Sequence, residues 1–464
     1  MSPPFPPSSR EPKPWRVAPL LALVGSQALA ASPSADAHPN ILLIVADDVG
    51  VDQSACYDAP AVDRAPQPNL ENLCRNAVAF NRAWANPYCS PTRAGLLTGR
   101  YSFRTGVGEP LGRGGPGPSL DEYTLPQALD AVGTGYTHAV FGKWHLSDDD
   151  NGGNDHPNLA GFDHFAGAMA GQVEDFWGWT RVEDGVEEWV TDYATSRTVD
   201  DALSWIGAQE GPWFAQVSFH APHWPLHLPP LDLHSYDDLS GDPADIAEQP
   251  ELYYQAMLEA MDTELGRMLE GIGPEVLRNT VIIYVGDNGT QENVNQGAFA
   301  ADHAKGTLYQ GGVHVPLFVT GRGVVGGGRR VPHLVNTVDL FATVLELAGG
   351  EPELALPEGV VTDSVSIVPY LADRRAPARR DWVLAEVFGP NVDTGKAGQA
   401  IYDGQHKLLR FGDGNEELYD LRADPDEAAN LLDGELSVPA ARAWVQLSSQ
   451  LDLMPLDTAE GDGG

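Results

Sequence analysis

Short apolar runs punctuated by Gly, Asp or His recur along the chain, at residues 41–46, 138–141, 214–219, 281–285 and 315–320. They are continuous rather than alternating, so each reads as a strand buried on both faces. Between them the period changes. Tyr254, Met257, Met261, Leu265, Met268 and Ile272 recur three and four residues apart, which gathers them on one helical stripe facing the core. Val199, Ala202, Leu203 and Ile206 form a second stripe, expected to stop at Gly211-Pro212, and residues 339–348 a third, closed by Gly349-Gly350. Strands alternating with helices predict a large, mostly parallel α/β sheet flanked by helices, with ligands beyond the carboxyl ends of the strands.

After residue 348 the pattern breaks into Pro-rich and charged segments up to Arg380. Strand-like pieces at 382–387, 400–411 and 417–421 and a final helix near 440–451 follow, predicting a smaller α+β domain over 375–455 behind a catalytic domain over 38–355. At the other end, Arg10, Lys13 and Arg16 precede an apolar run at 17–30 that ends in Ala28-Leu29-Ala30. That is a secretory signal pattern, short of the roughly 20 residues a membrane span needs, so residues 1–30 are expected to be removed and the protein secreted or periplasmic. Residues 461–464 read as a frayed tail.

Charge narrows the partners. Lys and Arg number 28 against 66 Asp and Glu, a formal charge of −38, which excludes nucleic acid and anionic membranes as natural partners. Only three cysteines occur: Cys89, and the pair Cys56 and Cys74, which the sequence leaves open between a bridge and two free thiols.

Three segments carry chemistry. The first strand runs into Asp47-Asp48, adjacent carboxylates that repel unless a cation neutralises them. The strand at 281–285 runs into Gly286-Asp287-Asn288-Gly289, again oxygen donors at a strand end. Either could be a solvated turn. Together they form an oxygen-only set suited to a hard cation, Ca²⁺ more readily than Mg²⁺ because it accepts many protein oxygens in flexible geometry. The third is the stretch 89–100, in which Pro91 suits the first position of a helix and Gly99 its end. Cys89 would then sit at a helix N-terminus, where backbone N–H groups favour an anion.

Cys89, Pro91 and Arg93 match the CxPxR core, and Leu96, Thr98, Gly99 and Arg100 the LxTGR continuation, of the type I sulfatases, which this chain therefore resembles. The likeness continues through Gly142-Lys143-Trp144-His145-Leu146, Gly161-Phe162-Asp163, His220-Ala221-Pro222-His223-Trp224-Pro225, Lys305-Gly306-Thr307 with Gly311-Gly312, residues 335–347, and Leu418-Tyr419-Asp420-Leu421 with Asp424-Pro425 and Asn430-Leu431. Gln310 stands where the family has Glu, and His314 where it has Arg.

The resemblance implies an alkaline-phosphatase-like fold and hydrolysis of a sulfated small molecule or saccharide. It implies that a formylglycine-generating enzyme oxidises Cys89 to the aldehyde formylglycine. It assigns catalytic roles to Cys89, Arg93, Lys143, His145, His223 and Lys305, and one Ca²⁺ per chain to Asp47, Asp48, Asp287, Asn288 and residue 89. The sulfate-contacting role falls on His223, with His220 read as structural. One hydroxyl of the hydrated aldehyde would attack sulfur, His223 would protonate the leaving alcohol, and the second hydroxyl would expel sulfate. The alternatives are a phosphonate or phosphate monoester hydrolase of the same superfamily and a non-catalytic glycan-binding relative. Specificity is expected in loops 104–120, 148–158, 171–192 and 291–303, where Trp177, Trp179 and Trp189 are read as core or surface packing ahead of the alternative, stacking on a sugar or aryl ring.

Overall fold

The computed structural model describes residues 38–57, 63–112, 115–297, 299–454 and 456. The expected signal segment and the C-terminal tail lie outside them. Ten strands form one sheet: β1 (Asn40–Ala46), β2 (Val78–Trp84), β3 (Thr137–Lys143), β4 (His164–Ala168), β5 (Trp179–Glu183), β6 (Val186–Val190), β7 (Trp213–Ser218), β8 (Thr280–Gly286), β9 (Leu317–Gly321) and β10 (Arg329–Asn336). Their order is β10-β2-β9-β8-β1-β7-β3-β4-β5-β6. The central β8-β1-β7-β3-β4 block is parallel, whereas β9 runs antiparallel to both neighbours and β5-β6 is an antiparallel edge hairpin.

Burial on both faces accounts for the continuous apolar runs. In β1, Leu42, Ile44 and Ala46 point into one side-chain cluster and Ile41, Leu43 and Val45 into another across the sheet. The methionine stripe packs in the first cluster on the helix Pro250–Leu277. That helix also reaches the site, because the Tyr254 hydroxyl donates to the Asp48 carbonyl at 2.8 Å.

A second sheet, β11 (Val383–Val387), β12 (Gly398–Tyr402), β13 (His406–Phe411) and β14 (Glu416–Asp420), is an antiparallel meander. One of its faces buries Val383, Ala385 and Leu409 with Trp84, Leu308 and Val313 of the larger part. The other buries Leu384, Ile401 and Leu408 with Leu447 and Leu451 of the helix Val438–Leu451.

Several local readings need correction. The run at 315–320 becomes a strand only at Leu317, because Pro316 has no N–H for a ladder. The helix Ala194–Ile206 stops at Gly207, where the apolar stripe ends and glycine disfavours helix, four residues before the expected Gly211. The piece at 400–411 is two strands with a turn between them. The loop at 171–192 contains β5 and β6; in it Trp179 is core, while Trp177 and Trp189 are 45% and 63% exposed.

Candidate active site

Sheet register assembles the site. Ala46 pairs with Gly286, Val45 with Ser218, and Ser218 with Gly142. Asp47-Asp48, Asp287-Asn288, Lys143 and the segment after β7 therefore leave the sheet side by side at the carboxyl ends of neighbouring strands. Backbone contacts lock the carboxylates together: the Asp48 N–H donates to Asp287 Oδ1 at 3.2 Å and the Asp287 N–H to the Ala46 carbonyl at 3.1 Å. Asp48 itself sits at φ 60°, in the left-handed region that Asp tolerates better than most residues.

The helix Cys89–Thr98 begins at Cys89 itself, so Pro91 is its third residue rather than its first, and Gly99 ends it at φ 69°. The whole helix is buried. Cys89 Sγ lies 3.1 Å from His145 Nδ1, and His145 Nε2 lies 3.2 Å from the Leu111 carbonyl. The carbonyl requires a proton on Nε2, which leaves the Nδ1 lone pair facing residue 89. One turn along the helix, Arg93 donates to Asp287 Oδ2 from Nε and Nη2 at 3.1 and 2.8 Å, and to the Lys143 carbonyl from Nη1 at 2.9 Å. Lys143 Nζ reaches Asp47 Oδ2 at 2.5 Å, and Lys305 is paired with Asp48. His223 Nδ1 lies 2.9 Å from the Trp224 carbonyl and its Nε2 3.9 Å from Asp48 Oδ2.

Burial sets the charges. It pushes His145 and His223 down to about 3, with Lys143 adding to the effect on both, so both imidazoles are neutral at pH 7. His220, also buried, is held well below its ordinary value. Burial raises Asp47 to about 6 against the pull of Lys143, and raises Asp287. Asp48 is different: burial pushes its carboxyl up, but the opposing pull of Lys305 holds it below the usual range.

The donor set fits a hard cation. Asp47 Oδ1 and Asn288 Oδ1 are buried acceptors without a hydrogen-bond partner, a costly arrangement unless something else binds them. Ligand atoms of Asp47, Asp48 and His223 lie within 4.8 Å of one another. The structure thus brings together all the residues the sequence reading named: Asp47, Asp48, Asp287, Asn288, Cys89, Arg93, Lys143, His145, His223 and Lys305. A pocket of about 280 Å³ opens over Cys89, lined also by Tyr88, Pro110, Leu111, Gly112, His145, Gly171, Gln172, His223 and Lys305.

Other contacts escaped the sequence. Gln291 donates to Asp48 Oδ2, and Asp52 accepts from the Thr290 hydroxyl, which in turn accepts from the Gly50 N–H. The polar run after Asn288 was a signal for Gln291. Gly171 was marked only as the start of an expected specificity loop; its role depends on what it touches. Cys56 and Cys74 form a disulfide, leaving Cys89 the free cysteine.

Comparisons with known proteins agree with this architecture. The N-acetylgalactosamine-6-sulfatase of Sus scrofa is 28% identical over 399 residues, 77% of this chain and 71% of its own. Among solved structures, Ps i-CgsB in complex with k-i-k-neocarrahexaose superposes with a TM-score of 0.75 at 24% identity, over 90% of this chain and 92% of its own. The phosphonate monoester hydrolase of Agrobacterium radiobacter shares the fold at 21% identity, with a TM-score of 0.65 over 90% of this chain and 95% of its own. A profile of the N-sulphoglucosamine sulphohydrolase C-terminal region matches residues 301–452. The sulfatase profile matches residues 39–350, from β1 through the site and past β10, and the chain belongs to the sulfatase family of enzymes.

Proposed function

We propose that this sulfatase cleaves sulfate monoesters with formylglycine made from Cys89, at a site that holds one Ca²⁺. The observation that carries the reading is the position of Cys89: at a buried helix N-terminus, 3.1 Å from a neutral imidazole nitrogen. Oxidised and hydrated, residue 89 would supply one hydroxyl to attack sulfur and a second to expel sulfate by C–O cleavage, an exit that an ordinary serine or cysteine lacks. His145 Nδ1, held proton-free by the Nε2 contact to Leu111, is the acceptor for the attacking hydroxyl's proton. Lys305, which lines the pocket over Cys89, and the buried Lys143 behind it would offset charge on the sulfuryl oxygens. His223, with Nδ1 committed to the Trp224 carbonyl, turns Nε2 toward the pocket, where the negative charge of a bound ester favours the protonated form needed by a general acid.

Asp47, Asp48, Asp287 and Asn288 would hold the cation, with residue 89 completing the set. It would stabilise charge on the sulfuryl oxygens. Charge counting favours this. Three carboxylates, Asp47, Asp48 and Asp287, face three fixed cations, Arg93, Lys143 and Lys305. A dication would leave the site two charges positive, a match for a singly charged ester and the proton lost from residue 89. The substrate class favoured is a sulfated saccharide, as the name of the Sus scrofa relative suggests. Export is supported by the Cys56–Cys74 disulfide, which persists in oxidising compartments, and among the described residues no helix is long and apolar enough to cross a membrane. The enzyme that makes formylglycine would act on the chain during export.

The test is mass spectrometry of the residue-89 peptide with turnover of 4-nitrophenyl sulfate and N-acetylgalactosamine 6-sulfate. Conversion to the aldehyde and sulfate release are expected, with Cys89→Ser stalling as a covalent sulfate adduct. Sulfate release at the parental rate by Cys89→Ser would refute the diol chemistry. The fold shared with a phosphonate monoester hydrolase supports a second reading, separated by running 4-nitrophenyl phenylphosphonate beside the sulfate.

A further inference from the structure

We infer that Ser90 and Gly171 are positioning residues that hold the His145 imidazole against residue 89; the inference rests on the catalytic role proposed for His145. Ser90 occupies a variable position of the cysteine motif, yet its side chain is fully buried and uses both of its hydrogen-bonding capacities. Its hydroxyl donates to the His145 carbonyl at 3.0 Å and accepts from the Leu111 N–H at 3.1 Å. The carbonyl of that same Leu111 accepts from His145 Nε2 at 3.2 Å. Ser90 therefore grips His145 twice, directly through its backbone and indirectly through the loop that fixes its tautomer.

The grip answers a specific need. His145 has φ 57°, a left-handed backbone that residues with a β-carbon seldom hold without outside support. From the other side, Gly171 lies flat against the ring: a Cβ there would fall 2.2 Å from Cε1 and 2.4 Å from Nε2 of His145. Any side chain at 171 must push the imidazole off its line to residue 89, a shift to which a reacting geometry is sensitive. Alanine at 90 would strip partners from the Leu111 N–H and the His145 carbonyl together.

Ser90→Ala, Ser90→Thr and Gly171→Ala are measured alone and with His145→Ala, using 4-nitrophenyl sulfate and N-acetylgalactosamine 6-sulfate. Rates are expressed per formylglycine-containing site by mass spectrometry. Ser90→Ala is expected to lower kcat by about 10–100-fold with KM within about twofold, the range seen when partners of site residues are removed. In the His145→Ala background it should cost less than about threefold, because a residue acting through His145 has nothing left to act on. Ser90→Thr, which keeps the hydroxyl, should recover most of the rate. Gly171→Ala leaves both Ser90 hydrogen bonds in place while displacing the ring, and should show the same non-additivity, which keeps the test decisive if Ser90→Ala fails to fold. Equal losses in both backgrounds, or a parental kcat in both single variants, overturn the inference. A parental protein that carries formylglycine but releases no sulfate overturns the catalytic reading beneath it.

Discussion

Two of the buried charge clusters among the described residues are finished differently. At the junction with the second sheet, Asp339 is closed. Its Oδ1 accepts from the Val365 N–H at 2.8 Å and Arg380 Nε at 3.0 Å, and its Oδ2 from the Asn336 N–H at 2.9 Å and Arg380 Nε at 2.7 Å. Arg380 Nη2 also donates to Asp339 Oδ1 and to the Asp363 carbonyl, the latter at 2.6 Å. At the carboxyl ends of β1 and β8, three carboxylates meet three cations, yet Asp47 Oδ1 and Asn288 Oδ1 stay without partners. The first cluster has every carboxylate oxygen answered; the second leaves two acceptors for the proposed cation, a costly arrangement without one.

The comparison can be broken in four places. Asp48→Asn should produce the largest effect, a loss of turnover on the order of 10³-fold, since it would weaken the hold on the proposed cation, a contribution of several kcal/mol to the transition state; steady-state kinetics of purified protein would read it. Asp339→Ala should do the reverse. It strands a buried guanidinium and should cost about 3–5 kcal/mol in denaturant unfolding, while the molecules that remain folded keep their turnover. Parental stability in that variant would mean the pair is not structural.

Calcium gives the third contrast. At about 100 times its dissociation constant it should stabilise the parent by about 2.7 kcal/mol in thermal unfolding, and a chelator should remove the gain. Asp47→Asn should lose that response and Asp339→Ala should keep it.

The smallest effect concerns pH. Glu386, beside the closed cluster, is pushed up to about 7 by burial, against hydrogen bonds from Gln399 and the Phe103 N–H. A raised carboxyl binds its proton more tightly folded than unfolded, so its contribution is full below 4.5 and lost as pH rises through about 7. Glu386→Gln should flatten the decline in stability over that window, measured by unfolding from pH 4.5 to 8.

Much of this was legible before any coordinates. The apolar runs marked strands buried on both faces because a parallel sheet covered by helices needs no polar side. The residues that gather in the candidate site could be singled out because chemistry restricts them: oxygen donors at two strand ends, and a cysteine motif whose likeness to a known family supplied the others. The misreadings were local. Helix and strand limits shifted by a few residues where Gly207 and Pro316 act through backbone propensity and hydrogen bonding rather than polarity.

What the chain could not show by itself is how distant segments are set against one another. Asp47 and Asp287 are far apart in sequence and meet because Ala46 and Gly286 share a register. No side chain spells out that pairing. The clamp on His145 is likewise a matter of three dimensions, since Ser90, Leu111 and Gly171 become its partners only once the helix, a loop and the end of β4 converge. Residue types decided which chemistry was possible; packing decided which atoms lie within 3 Å of each other, because hydrogen bonds and steric contact depend on distances that sequence order does not encode.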